Sequence, residues 1–296
     1  MKTGFISIIG RPNAGKSTLL NALLKQKVSI ISPKPQTTRN NIQGILTTAE
    51  AQYVFIDTPG VHKPHHELGR TLNKNAFTAL QDVDVVYLIV DASQPFGSGD
   101  EFLLERIKNS DAPCFLLLNK IDRLKKEEVL KNLTEWQKRY NFQEIIPISA
   151  LQADNLEELL KTTLPYLEEG PMFYPEDQVS DHGRTFQVQE IIREKILYKT
   201  EEEIPHSIAV LCEEVDEQET KCYIRALVIV ERDSQKAIII GKQAAMIKAI
   251  RMAAQKDLKK LFHKRVDLEL YVRVEHNWRN RTNKLQQFGY KEDEYE

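Results

Sequence analysis

The sequence predicts an α/β domain, a mostly parallel sheet with helices on both faces, followed by a small α+β domain. Three observations predict it. Short apolar runs alternate with helix-like stretches up to about residue 167, and a glycine-rich loop separates the first run from the first helix. Past a proline-containing segment, the alternation gives way to a different order of elements.

The apolar runs are Phe5–Ile9, Tyr53–Ile56, Val83–Val90, Phe115–Leu118 and Ile145–Ile148, with a further strand around Ile42–Leu46. The helix-like stretches are Lys16–Lys25, Leu68–Leu80, Glu101–Ile107, Lys126–Tyr140 and Leu156–Leu167. Short apolar strands alternating with amphipathic helices fold as a parallel sheet covered on both sides. Ligands of such sheets sit beyond the carboxyl ends of the strands, so a functional motif should follow a strand directly. Residues 170–184, beginning Gly170-Pro171-Met172-Phe173-Tyr174-Pro175, lack periodicity and read as a linker between a domain at 1–169 and one at 185–296. In the second domain a helix (Phe186–Tyr198) precedes strand-like Ser207–Glu213 and Lys221–Val230. A helix (Ala245–Phe262) and strand-like Val266–Val274 complete it.

A length of 296 residues suits two domains, and 41% hydrophobic with 28% charged residues is an ordinary globular composition. The net charge of −2 gives the whole molecule no strong pull toward nucleic acid or membrane, so a local patch must supply any such affinity. No run approaches ~18 apolar residues, so no integral membrane segment is expected. Met1–Phe5 leads straight into a strand and leaves no room for a signal peptide. Cys114, Cys212 and Cys222 are odd in number, lack metal-ligand spacing and read as reduced, inert thiols, so the expected compartment is the cytoplasm. His62, His65 and His66 have no acidic partners at ligand spacing and read as loop residues. Lys291–Glu296 reads as a solvated, mostly acidic end.

Gly10-Arg11-Pro12-Asn13-Ala14-Gly15-Lys16-Ser17, with Thr18 following, matches the phosphate loop G-x-x-x-x-G-K-[ST] and lies between a strand and a helix, as that motif requires. Its backbone N–H groups and the helix N-terminus suit phosphate oxygens. Lys16 would reach the β and γ phosphates, and the Ser17 hydroxyl would bind Mg²⁺. Asp57-Thr58-Pro59-Gly60, followed by Val61, comes directly after a strand; Asp57 would hold Mg²⁺ through water, and the Gly60 N–H would meet the γ-phosphate. Asn119-Lys120-Ile121-Asp122 decides the base. An ionised carboxylate only accepts hydrogen bonds, which fits the adjacent N1–H and N2–H donors of guanine and not the N1 acceptor of adenine. Lys120's stem would cover the base, and Asn119 would tie this loop to the phosphate loop. Ser149-Ala150-Leu151 would close the pocket, with the Ala150 N–H aimed at guanine O6. Of the two threonines in Pro35-Gln36-Thr37-Thr38-Arg39-Asn40, Thr38 is expected to complete the Mg²⁺ shell, with Thr37 the alternative.

The reaction read from these motifs is slow hydrolysis of GTP to GDP, with Lys16, Thr38 and Gly60 at the transferred phosphoryl group. Val61 stands where a water-orienting glutamine would be sought, and it has no polar side-chain atom. In the second domain, Ile240-Gly241-Lys242-Gln243-Ala244 leads into a helix as the G-x-x-G loop of an RNA-clamping KH domain does. Ala244 departs from the pattern's second glycine, which disfavours positive φ. Residues 242–265 hold eight basic residues, Lys248 and Arg251 among them, against Asp257 alone, a local charge of +7. The same helix would also suit anionic lipid. The alternative function is therefore a GTP-regulated module acting mainly on a membrane or protein partner.

Taken together, these motifs resemble the Era family of GTPases. The likeness extends through Val28-Ser29-Ile30-Ile31-Ser32-Pro33-Lys34-Pro35-Gln36-Thr37-Thr38-Arg39, Asp57–Pro64, Glu203–Val210 and the ending Asn277-Trp278-Arg279 through Gly289-Tyr290. The resemblance covers nearly the whole chain. It implies a P-loop GTPase joined to a KH domain, with 16S ribosomal RNA and the small (30S) ribosomal subunit as partners during maturation. It further implies some peripheral attachment to the cytoplasmic membrane. Family members usually carry glycine at the position of Arg251. Relatives of the family suggest Asn13 as a ligand for K⁺ beside the phosphates. A monomer is expected.

Overall fold

The computed structural model describes residues 1–291, so all of the expected acidic end Lys291–Glu296 except Lys291 lies outside the described residues. In chain order the first domain contains β1 (Lys2–Ile9), α1 (Lys16–Leu24), β2 (Ile42–Thr47), β3 (Ala51–Asp57), α2 (Glu67–Thr78) and β4 (Val85–Asp91). It continues with α3 (Ser98–Ile107), β5 (Cys114–Asn119), α4 (Lys126–Gln137), β6 (Glu144–Pro147), α5 (Leu156–Thr163) and the two-residue β7 (Glu168–Glu169). The sheet order is β2-β3-β1-β4-β5-β6. β3, β1, β4, β5 and β6 run parallel, while β2 is antiparallel to β3. Parallel strands are covered on both faces and so read as continuous apolar runs. Alternate side chains serve two cores. Ile6, Ile8, Tyr87, Ile89, Phe115 and Leu117 pack on α1 and α5, whereas Ile9, Val86, Leu88, Leu116 and Leu118 pack on α2, α3 and α4.

The second domain contains α6 (Arg184–Lys199), α7 (Ile204–Ser207), β8 (Ala209–Glu217), β9 (Lys221–Val230), α8 (Asp233–Ile240), α9 (Ala245–Phe262), β10 (Arg265–Val274) and α10 (Thr282–Gln287). Its sheet order is β10-β9-β8, with β10 parallel and β8 antiparallel to β9. α6 and α9 bury Val188, Ile192, Ile196, Ile250, Ala254, Leu258 and Phe262 against one face of this sheet. Trp278, Leu285, Phe288 and Tyr290 cover the other face at Ala209, Leu227 and Ile229, together with Leu68 and Leu72 of α2. The C-terminal segment thus packs between the two domains.

Several boundaries differ from expectation. The last helix of the first domain stops at Thr163 and tightens into a 3-10 turn at Leu164–Tyr166, because Pro165 supplies no N–H to continue it. The expected linker at 170–184 hydrogen-bonds to β2 and β3. Phe173 and Tyr174 donate backbone N–H groups to Gln52 Oε1 at 2.8 and 3.0 Å, and Ile45 N–H donates to Val179 O at 2.9 Å. α8 was not anticipated, since its three consecutive isoleucines are β-formers. The three cysteines are buried and unbridged, as expected. Among the described residues no helix is long and apolar enough to cross a membrane, and no group of His, Cys, Asp or Glu could hold a metal ion by itself.

Candidate nucleotide and RNA sites

The motif residues converge at the carboxyl ends of β1, β3, β5 and β6. The phosphate loop turns from β1 into α1 through Gly15 at φ 110°, where a Cβ would stand 2.2 Å from Asn119 Nδ2. Only glycine fits a positive φ beneath that side chain. Asn119 Nδ2 donates to Ala14 O at 2.8 Å, giving the expected tie between the base loop and the phosphate loop. The Ala150 N–H does not face the cleft as expected. It donates to Asn119 Oδ1 at 2.9 Å, which satisfies a buried acceptor. Asp122 Oδ1 accepts from Ser149 Oγ at 2.6 Å. Lys120 Nζ donates to Asn13 O at 2.7 Å and Asp91 Oδ2 at 2.6 Å, so its stem spans from the base loop to the phosphate loop.

Lys16 Nζ donates to Gly10 O at 3.1 Å and Arg11 O at 3.0 Å. Burial lowers its ammonium to about 8, against the opposing pull of Asp57. The Arg11 side chain pairs with Asp100 of α3 at 3.0 Å, leaving its backbone to the phosphate loop. Ser17 Oγ donates to Asp57 Oδ2 at 2.7 Å and lies 2.8 Å from Thr38 Oγ1, which stands 3.4 Å from the same carboxylate oxygen. Thr37 Oγ1 turns away to Lys34 O at 2.7 Å, so the structure favours Thr38 of the two threonines. Ser29, which the motif reading did not include, adds a hydroxyl 2.9 Å from Asp57 Oδ2. Asp57 is fully buried. Burial raises its carboxyl, while Lys16 and the hydroxyls of Ser17, Ser29 and Thr38 draw it down. Its Oδ1 has no hydrogen-bond partner among the described residues. A buried carboxylate with one free oxygen, ringed by hydroxyls, is a fitting donor set for a hard divalent cation such as Mg²⁺.

These groups surround a cleft of about 440 Å³. Pro12, Asn13, Gly15, Lys16, Ser17, Thr18, Thr38, Gly60, Asn119, Lys120, Asp122 and Leu151 line it. Gly10, Arg11, Ala14, Asp57, Thr58, Pro59, Val61, Ile121, Ser149 and Ala150 do not. Thr58 Oγ1 donates to Ile8 O at 2.7 Å and braces the strand end. Val61 is 2% exposed and belongs to the apolar core beneath α2, so the position after Gly60 faces away from the nucleotide cleft. His62 Nε2 lies 2.5 Å from Gln36 Nε2 and joins two loops.

In the second domain, Gly241 has φ 73° between α8 and α9, and a Cβ there would meet Met246 Cβ at 2.7 Å. Gln243 and Ala244 both sit in the left-handed region, at φ 51° and 59°. Ala244 therefore adopts the glycine-like conformation that its side chain disfavours. Gly241 and Lys242 line a groove of about 500 Å³ with Lys199, Ile238 and Met246; Ile240, Gln243, Ala244, Lys248 and Arg251 do not line it. Lys248 and Arg251 are exposed on α9.

What motif reading missed is the contact between the domains. Arg39, next to Thr38, is 2% exposed and donates to the backbone oxygens of Ile208 at 2.6 Å and Pro205 at 3.0 Å. Its guanidinium lies 5.7 Å from the Tyr290 ring centroid. Arg193 of α6 donates to Thr37 O and pairs with Glu190. Glu194 accepts from Lys27 Nζ at 2.7 Å and from the Ile31 N–H at 3.4 Å. Desolvation opposes its charge, but Lys195 and Lys27 more than offset it and hold the carboxyl below its ordinary range. The loop carrying Thr38 is thus gripped on both sides by the second domain. An arginine at a loop end gave no signal in the sequence that its partners lie 166 or more residues away.

Known proteins share this fold. A family model described as a 50S ribosome-binding GTPase matches residues 5–120, and one described as a KH domain matches residues 203–279. A crystal structure of Era in complex with MgGDPNP and nucleotides 1506–1542 of 16S ribosomal RNA matches with TM-score 0.95 and 40% identity, covering 98% of this chain and 99% of that one. A point variant of Aquifex aeolicus Era bound to GDP·AlF4⁻ matches with TM-score 0.94 and 40% identity over the same shares of both chains. At 40% identity over nearly the whole of both chains, with both domains matched, the chain belongs to the Era family of GTPases.

Proposed function

We propose that this GTPase is a Mg²⁺-dependent switch that clamps single-stranded 16S ribosomal RNA in its KH groove and assists maturation of the small ribosomal subunit in the cytoplasm. The observation that carries the reading is the grip of the second domain on the Thr38 loop through Arg39 and Arg193. A loop that orders around a γ-phosphate is thereby fastened to the domain bearing the Gly241–Ala244 loop. The Era complex holding both MgGDPNP and 16S RNA supports the same pair of ligands here.

In this reading, 1–169 binds nucleotide, 170–184 straps the sheet edge and 185–296 binds RNA. Asp122 accepts guanine N1–H and N2–H while Ser149 fixes its orientation, and Asn119 holds the base and phosphate loops together. Lys16 leaves its two loop carbonyls for the β and γ phosphates, and the Gly60 N–H meets the γ-phosphate. Ser17, Thr38 and Asp57 would hold Mg²⁺, which when bound neutralises phosphate charge. Asn13 donates its Nδ2–H to Pro33 O at 3.0 Å, which leaves its Oδ1 to take K⁺ beside the phosphates.

The test of the RNA half is the double variant Lys242→Glu with Lys248→Glu. It should weaken binding to single-stranded RNA sharply and leave GTP affinity unchanged. For each phosphate no longer neutralised, the salt dependence should flatten by a slope of about 0.7. Retained RNA affinity would move the surface elsewhere. Retained affinity for anionic lipid vesicles only would favour the membrane reading.

A further inference from the structure

We infer that Tyr198, a residue of the RNA-binding domain, is part of the nucleotide site and packs against the guanosine moiety of bound GTP or GDP. The inference rests on the GTP-binding reading of the cleft and adds to it a contact from outside the G domain.

Tyr198 lies in the last turn of α6 and lines the same cleft as Asn119, Lys120 and Asp122. It is 58% exposed, and two other large apolar residues of the cleft, Leu151 (68%) and Ile31 (36%), are exposed beside the base-reading loops. Large apolar side chains gathered in one concave site and left open to water are a surface awaiting a ligand. The polar groups of this end fix an edge of the base through Asp122, and the Lys120 stem offers one face. Ile31, Leu151 and Tyr198 supply the apolar counterpart, suited to the faces of a purine nucleoside. Aromatic rings are sequence-tolerant stacking platforms for such groups.

The placement of Tyr198 is enforced by the rest of α6. Glu194, one helical turn earlier on the same side, accepts the Ile31 N–H and pairs with Lys27. The face of α6 that carries Tyr198 is thereby fixed against the loop at 27–33. The adjacent residue, Lys199, lines the groove beside Gly241 and Lys242. Consecutive side chains of one helix therefore border the nucleotide cleft and the RNA groove. A nucleotide resting on Tyr198 and RNA resting beside Lys199 would act on the same turn, and such coupling is reciprocal.

The test is calorimetric titration of the full chain, with Mg²⁺ present, by GDP, by a non-hydrolysable GTP analogue and by pyrophosphate. Tyr198→Ala should weaken both guanine nucleotides about 5- to 20-fold, the lower part of the range for base stacking on an aromatic ring. Tyr198→Phe should stay within about two-fold of the unaltered chain, because the ring makes the contact. Pyrophosphate, which lacks the guanosine, should bind all three proteins equally. Unchanged GDP affinity in Tyr198→Ala would overturn the assignment, as would a matching loss for pyrophosphate, which would mean an indirect effect through the loops. Asp122→Asn separates this from failure of the underlying reading. If that variant loses GDP while Tyr198→Ala does not, the guanine site stands and only Tyr198 is excluded from it.

Discussion

At the scale of single residues, the proposed guanine site depends on the Asp122 carboxylate and the side chains that aim it. Asp122 is fixed by Ser149, and Asn119 holds the two neighbouring loops with one amide. Asp122→Asn should weaken GTP by roughly 10²-fold or more and improve xanthosine triphosphate, because the amide donates where the carboxylate accepted. Effective competition by ATP in the unaltered protein would show that the base loop is wrongly assigned. Hydrolysis presents the opposite case, a residue that cannot serve. Val61 is buried in the core beneath α2, so no side chain at that position can orient water. Intrinsic turnover should be at or below roughly 10⁻³ s⁻¹. If Asn13 holds K⁺, the rate in KCl should exceed that in NaCl at equal ionic strength, and Asn13→Ala should remove the difference. Equal rates in both salts would exclude that role.

At the scale of elements, the turn between α8 and α9 combines one required glycine with one strained alanine. Gly241 cannot carry a Cβ, whereas Ala244 holds φ 59° despite its Cβ. Ala244→Gly relieves about 1 kcal/mol of left-handed strain, offset in part by the greater chain entropy of glycine. It should tighten RNA binding without lowering the unfolding midpoint in denaturant; a decrease in both would show that the alanine side chain makes a useful contact. This turn also shows what the sequence disclosed. Its loop was legible because a glycine, a lysine and a following helix make a local pattern. The strands and helices of the first domain were legible for the same reason, their periodicity being local. α8 was not, because Ile238, Ile239 and Ile240 favour strands in isolation and only burial of Ile239 in the domain core selects the helix. Arg39, Arg193 and Tyr198 escaped notice because the groups they meet in the other domain are distant in sequence and no spacing rule joins them.

At the scale of the whole molecule, the two domains meet at the loop that should sense the γ-phosphate. Arg39 places a buried charge against backbone oxygens and an aromatic ring rather than a carboxylate, a geometry that suits the planar fork of arginine. Arg39→Ala leaves the oxygens of Ile208 and Pro205 without that donor and should cost about 1–3 kcal/mol of stability. Arg39→Lys should recover only part of it, since an ammonium cannot reproduce the fork. Both variants should weaken communication between the sites more than they weaken either ligand alone. A fully stable Arg39→Ala would show that the contact contributes nothing to holding the domains together.

The central claim, that nucleotide state governs RNA binding through this contact, is tested most directly by measuring single-stranded RNA affinity of the full chain with Mg²⁺·GDP and with a Mg²⁺-bound non-hydrolysable GTP analogue. Coupling free energies of about 1–3 kcal/mol correspond to roughly 5- to 150-fold, so the GTP-analogue form should bind RNA at least about 5-fold more tightly. The difference should shrink toward unity in Arg39→Lys. Equal RNA affinity in both nucleotide states of the unaltered chain would contradict the account.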